Sequence, residues 1–297
     1  MGCKIYDNYH QLIIILILSI LGSNLSYAQK QKFAVGLKAG ATVSTSWFGD
    51  KDDKSEFTNS WKPGFFGAGL VNFPLKNNFS FQTEAGFSQR GRKIKFNEDT
   101  WVNNANYHFI DASMMLRKSY GLQWSKNVRG TWFFNIGPKI SYWLNGKGNI
   151  YTLTENIDPA TGAITIEKGY SYPYKVKFEK EPEVPDSPDF NTIYLVDVNR
   201  WLFGLDFGIG VDAPTTALQR FGFEVRFTSG HTFYGNKGSA FNRTLGFTDN
   251  LRANEKIISF SIDYAFNKEL HESLKGKSTN KEVKKGKPRK NIDSMIH

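Results

Sequence analysis

The sequence predicts an all-β fold, an eight-stranded antiparallel up-and-down transmembrane β-barrel. Three observations carry that prediction. Apolar residues recur at every second position over most of eight separate stretches, the period of a strand with one greasy and one wet face. The connections between the stretches alternate between long and short. Aromatics (25 Phe, 13 Tyr, 7 Trp) make up 15% of the chain while the mean hydropathy is −0.43, which suits strands that are apolar on one face only and argues against a helical membrane protein.

The chain opens on a targeting pattern. Lys4 precedes an apolar run over 12–21, and Ser26-Tyr27-Ala28 supplies small residues where a signal peptidase reads them. Residues 1–28 therefore read as a cleaved signal peptide, with Gln29 the first mature residue. The run is short for a spanning helix. Cys3, the single cysteine, lies ahead of it, so the mature chain has no disulfide, thiolate nucleophile or cysteine-held metal. The barrel domain is assigned to 29–266.

The first strand, 33–47, sets Phe33, Val35, Leu37, Ala39, Ala41 and Val43 against Gly36, Lys38, Gly40, Thr42 and Ser44. A polar loop covers 48–60. The glycine-rich run 62–75 reads as a strand whose two faces cannot be separated, and a short turn follows at 74–78. In 79–96, Phe79, Phe81, Thr83, Ala85 and Phe87 oppose Ser80, Gln82, Glu84, Ser88 and Arg90. After a polar loop to about Asn106, the stretch 107–122 places Ile110, Ala112, Met114 and Leu116 opposite Asp111, Ser113 and Arg117. Lys126-Asn127 marks a short turn. Residues 130–144 set Trp132, Phe134, Ile136, Ile140 and Tyr142 against Asn135, Gly137, Lys139 and Ser141.

A long connection, 145–200, comes next. It contains an Asp158-Pro159-Ala160-Thr161-Gly162 hairpin tip and a Pro-rich stretch over 181–188. Alternation persists in places over 150–174 (Ile164, Ile166), so the connection reads either as strands five and six extended beyond the membrane in a hairpin or as a solvated loop. The stretch 201–211 alternates most regularly, with Trp201, Phe203, Leu205, Phe207, Ile209 and Val211 on one face. Pro214-Thr215-Thr216 reads as a turn. Residues 220–228 oppose Phe221, Phe223, Val225 and Phe227 to Gly222, Glu224 and Arg226. The last strand, 257–266, presents Ile258, Phe260, Ile262, Tyr264 and Phe266 on one face and Ser259, Ser261, Asp263 and Ala265 on the other.

Short turns on one side and long loops on the other are the habit of outer-membrane barrels, with both termini then periplasmic. Trp47, Trp61, Trp143 and Trp201 at the long-loop ends, and Trp124 and Trp132 at a short-turn end, read as two interfacial girdles. A soluble barrel would show the same period with its apolar face inside. Eight strands, however, leave an interior just wide enough for side chains, too narrow for so many rings. The opposite face carries Lys38, Arg90, Arg117, Lys139 and Arg226 against Glu84, Asp111, Asp206, Glu224 and Asp263, the balance expected of charges paired in a lumen. That filling, in a barrel of eight strands, argues against an open channel.

The run Val35-Gly36-Leu37-Lys38-Ala39-Gly40 with Thr42-Val43-Ser44 resembles the opening strand of PorT-type outer-membrane β-barrel proteins. Ile110 to Arg117 sits where that family has a strand ending in apolar residues and a basic one. The resemblance covers roughly 33–266. It implies an eight-stranded outer-membrane barrel, and one founding member of the family is linked to an apparatus that secretes proteins across the outer membrane. The long connection and the tail depart from the family's simple pattern.

Chemistry is sparse. His108 and His231 fall at loop-side strand ends, where a small hydrolase could place a site, but no spacing pairs them with an acid and a nucleophile. His271 and His297 lie in the tail. No metal-ligand spacing occurs, and the glycine runs at 64–69 and 204–210 open no predicted helix, so they are not phosphate loops. No catalytic, metal or cofactor residues are assigned. The net charge is +10, half of it in 267–297, which holds eight Lys and one Arg against three Glu and one Asp. This tail reads first as a solvated charge run, disordered and periplasmic, and second as a binder of anionic cell-wall polymer or of an acidic partner. Without interleaved aromatics, and in an exported protein, it does not read as a nucleic-acid binder. The expectation is a non-enzymatic outer-membrane barrel, in contact with outer-membrane lipid, that serves envelope structure or a secretion complex through 145–200. An outer-membrane hydrolase is the alternative.

Overall fold

The computed structural model describes residues 32–49, 51–96, 101–123, 129–158, 160–180, 191–216, 219–235 and 251–269. The expected signal peptide over 1–28, the tail beyond 269, Trp124, the turn expected at Lys126-Asn127, Pro159 and the Pro-rich stretch 181–188 lie outside the described residues.

In chain order the elements are β1 (Lys32–Phe48), α1 (Lys51–Glu56), β2 (Phe57–Ser60), β3 (Lys62–Pro74), β4 (Phe79–Phe96), β5 (Trp101–Gln123), β6 (Arg129–Ile157), β7 (Ile164–Lys177), β8 (Thr192–Tyr194), β9 (Trp201–Thr216), β10 (Gln219–Gly230) and β11 (Ala253–Glu269). Eight of the strands close a ring in the order β1-β3-β4-β5-β6-β9-β10-β11, every pair antiparallel. β1 closes on β11 from Lys32↔Glu269 to Phe48↔Ala253, so no ring edge is left to be satisfied in hydrocarbon. The eight strands expected from the sequence are all present. A 3₁₀ turn at Lys76–Asn78 joins β3 to β4 at the short-connection end, with Asn77 and Asn78 at φ 58° and 60°, a conformation asparagine tolerates.

The apolar face points outward. Leu37, Phe65, Ile110, Phe203 and Ile209 are exposed, while Lys38, Glu84, Arg90, Arg117, Asp206 and Glu224 are buried. This inside-out arrangement is what lipid demands. β3 resisted separation for a physical reason: its outward residues include Gly67 and Gly69, while Phe66, Ala68 and Leu70 face the lumen, so small and large residues exchange sides.

Several boundaries differ from the sequence expectation. The Asn-rich stretch 101–106 continues β5, because above the membrane a strand needs no apolar face toward lipid, and 145–157 continue β6 as the hairpin reading of that connection expected. The loop at 48–60 contains α1 and β2, and β2 pairs with β4. Pro214 to Thr216 end β9 instead of turning. β6 changes partner along its length: residues 131–142 pair with β9 in the ring, and 146–157 pair with β7. β6 and β7 thereby form a hairpin rising from the long-loop end, with β8 added in parallel to 175–177.

Candidate functional site

Two features could carry a function: the filled lumen and the structured long-loop end.

The lumen is filled in layers. Near the short-turn end Arg117 pairs with Asp212, and Arg220 reaches the same carboxylate at 2.9 Å. The Arg117 guanidinium also lies over the Phe133 ring, 3.4 Å from its centroid. In the middle, Lys38 donates to Glu84 at 2.5 Å and to Glu224 at 2.7 Å. Arg226 donates to Glu84 at 2.8 Å, to Glu224 at 2.6 Å and to Asp206 at 3.3 Å. Higher up, Arg90 joins Asp111 (2.9 Å) to Glu255 (2.8 Å), and Lys139 approaches Asp111 at 3.3 Å.

Nine of the ten lumen charges singled out from sequence take part in these ion pairs. The exception is Asp263, which stands opposite Lys38 in the strand register while the Lys38 ammonium turns to Glu84 and Glu224. The sequence reading missed Arg92, Asp212, Arg220 and Glu255. Parity could have found them. Each continues the inward alternation of its strand just past the point where the apolar face gave out.

Above the charges the long-loop end is closed by an apolar core. Tyr107, Phe109, Trp143, Ile150, Tyr174, Ile193, Tyr234 and Leu251 are buried together. Trp143 is 0% exposed and packs against Tyr107 (4.6 Å), Phe178 (4.9 Å) and Tyr234 (5.3 Å). It is therefore not a girdle residue. Trp47, Trp61 and Trp201 do face outward, Trp201 against Tyr142 at 4.7 Å. At the other interface Tyr120 stacks on Trp132 at 4.5 Å, and Tyr264 packs edge-on to Phe266 at 4.8 Å. Tyr234 donates to Glu255, joining core and charge layers. Burial and the Glu255 carboxylate hold its phenol well above the usual tyrosine range.

The two histidines are not brought together. His108 lies on β5 and His231 just past β10, with β6 and β9 between them in the ring. The His108 partners are the side-chain amides of Asn145 (2.6 Å) and Gln89 (3.3 Å), and its ring stacks on Phe87. His271 and His297 lie outside the described residues.

The hairpin is the second feature. Ile157, Ile164, Ile166 and Tyr170 are 64, 63, 65 and 76% exposed at its outer part. Over 164–171, β7 pairs with β6 alone among the described strands. An Asp158 carboxylate that accepts from the Ala160 N–H and the Thr161 hydroxyl organises the tip and lies below the usual carboxylate range because of those bonds.

Residues 27–230 match the family model described as "outer membrane protein beta-barrel domain". Among solved structures the chain is similar to the outer membrane protein OprG from Pseudomonas aeruginosa, at 9% identity and a TM-score of 0.45, covering 81% of this chain and 97% of that one. It is also similar to Ail, the attachment invasion locus protein of Yersinia pestis (8%, TM-score 0.34, 81% and 100%), and to the outer membrane protease OmpT from Escherichia coli (10%, TM-score 0.30, 82% and 98%). No protein in the curated set matches it. A closed eight-stranded ring with its apolar face outward, matched by the family model over most of its length, belongs to the outer membrane protein beta-barrel domain family and resides in the Gram-negative outer membrane.

Proposed function

We propose that the protein is a non-enzymatic outer-membrane barrel of PorT type whose β6–β7 hairpin docks an envelope protein, in the setting of a secretion complex. The single observation that carries this reading is the continuity of β6. One strand of 29 residues runs from the membrane into the hairpin, so the ring holds the exposed Ile157, Ile164, Ile166 and Tyr170 in a fixed place. Apolar side chains on a protruding element, beside a β7 edge that no other described strand pairs, are the ingredients of strand-addition binding. The ion-paired lumen supports a scaffold over a pore, since flux would require those pairs to part. On the periplasmic side, the basic tail extends the reading toward anionic cell-wall polymer.

Photo-crosslinkers at Ile166 and Tyr170 in intact cells test the proposal. A discrete adduct with one envelope protein is expected. Adducts with lipid alone, or none, would sink it. The hydrolase alternative is tested by His108→Ala and His231→Ala in assays of lipid A, phospholipid and peptide cleavage, and activity lost with either variant would overturn the non-enzymatic reading.

A further inference from the structure

On the outer wall of the barrel the chemistry changes abruptly at one height. The register aligns outward residues into rows across β4, β5 and β6. The highest apolar row is Phe87, Ile110 and Tyr142; the next is Gln89, His108 and Asn145. Above it come Gly91, Asn106 and Lys147, then Lys93, Asn104 and Asn149. Lys175 on β7 stands opposite Lys147.

A β-bulge makes this possible. Strict alternation from Tyr142 would turn Lys147 inward, but the register shifts between His108/Phe109 and Asn145/Trp143. Trp143 already points into the core by alternation; the extra residue that follows it, Leu144, re-aims Lys147 and Asn149 outward.

These rows border a cleft of about 550 Å³ whose lining includes Asn104, Asn106, Lys147, Asn149, Lys175 and Asn191. Lys62 donates to Asn104 at its rim, within electrostatic reach of Lys93. Among the described residues no carboxylate lines the cleft. The contrast with the lumen, where the central cations are held by carboxylates, is what points to an external anion.

We propose that this cleft binds the phosphate of a phosphorylated glycolipid in the outer leaflet. Ammonium groups and side-chain amide N–H donors are the chemistry that recognises phosphate. Position selects a lipid over a soluble anion. The lysine rows lie two to four residues beyond the Gln89–His108–Asn145 row, roughly 7–14 Å along a tilted strand, which is the depth of a headgroup layer. The cleft also opens sideways, on the wall that faces lipid rather than at the barrel mouth.

The test uses the full-length folded barrel in neutral detergent, with binding read by native mass spectrometry. The probes are a diphosphorylated acylated glucosamine disaccharide, its dephosphorylated form, inorganic phosphate and a soluble sulfated polysaccharide. The expected result is binding of the diphosphorylated lipid, at least tenfold weaker binding of the dephosphorylated form, and a roughly five- to tenfold loss in Lys147→Gln/Lys175→Gln. Both lysines are exposed, so heat-modifiable gel migration of the variant should match the parent and report an intact fold. Equal binding of the dephosphorylated lipid, unchanged binding by the variant, or tighter binding of inorganic phosphate or the polysaccharide would each overturn the proposal.

Discussion

Replacing Arg226 by Met should unfold this barrel more readily than any surface change. The guanidinium lies among Glu84, Glu224 and Asp206, whose side chains are 5, 0 and 0% exposed, and it is itself 7% exposed. Methionine fills similar space but leaves Lys38, which pairs with Glu84 and Glu224, as the cation of this cluster among the described residues, against three carboxylates, a net local charge of about −2. Breaking a buried pair by removing one partner costs about 3–5 kcal/mol, because the remaining charges keep their desolvation cost. About 4 kcal/mol corresponds to roughly a thousandfold change in the folding equilibrium. Urea titration of folding into vesicles, read by heat-modifiable migration and tryptophan fluorescence, would measure it. If the cost is electrostatic, adding Glu84→Gln and Glu224→Gln to Arg226→Met should recover more than half of the loss. Arg226→Lys, which keeps the charge but not the fork, should lose less than half as much as Arg226→Met. A cost below about 1 kcal/mol for Arg226→Met, or no recovery in the triple variant, would refute the argument that this layer is held by paired charge.

Further outcomes follow from the same packing. Trp143→Ala, emptying the core at the long-loop end, should cost about 3–5 kcal/mol, while Trp201→Ala at the lipid interface should cost about 1 kcal/mol in the same titration; equal costs would contradict their different placement. Gly208 lies against Asn135 and the Glu224 carboxylate, so Gly208→Val should displace Glu224 from Arg226 and destabilise by about 1–3 kcal/mol, whereas Gly121→Val, with open space around it, should be nearly neutral. Tyr234 keeps its proton in the folded barrel beyond the pH at which a free phenol, near pH 10.0, loses it. The unfolded chain then binds fewer protons, so this contribution is complete below pH 10 and declines as pH rises above it. A pH series comparing the parent with Tyr234→Phe should show a smaller alkaline loss in the variant.

Much of the fold was legible because lipid imposes a local rule. Every spanning residue must face either hydrocarbon or a narrow lumen, so period-two alternation in the sequence maps directly onto position. Phe203, Phe207 and Ile209 could be placed outside, and Asp206 inside, from parity alone. The rule failed where its cause ended. On β3, Phe66 and Gly67 reversed the usual sizes because neighbours on the lumen side accept a ring there. Above the bilayer, residues 101–106 are a polar strand, and polarity alone reads as loop. The candidate site was half visible. The Pro-Ala-Thr-Gly tip and the alternation around Ile164 and Ile166 marked a hairpin extending the ring strands, but not that its returning strand is the separate β7 instead of an extension of β9.

The sequence by itself determined strand number, sidedness and most of the lumen charge, since each follows from alternation and connection length within single strands. Tertiary structure decided which charges meet. Lys38 and Asp263 face each other across one strand pair, yet Lys38 turns to Glu84 and Glu224 on strands that only barrel closure brings near. It also decided the fate of Lys147. A single-residue bulge at Leu144 exchanges inside for outside, and a bulge is set by the register between two strands, which alternation along one strand does not encode.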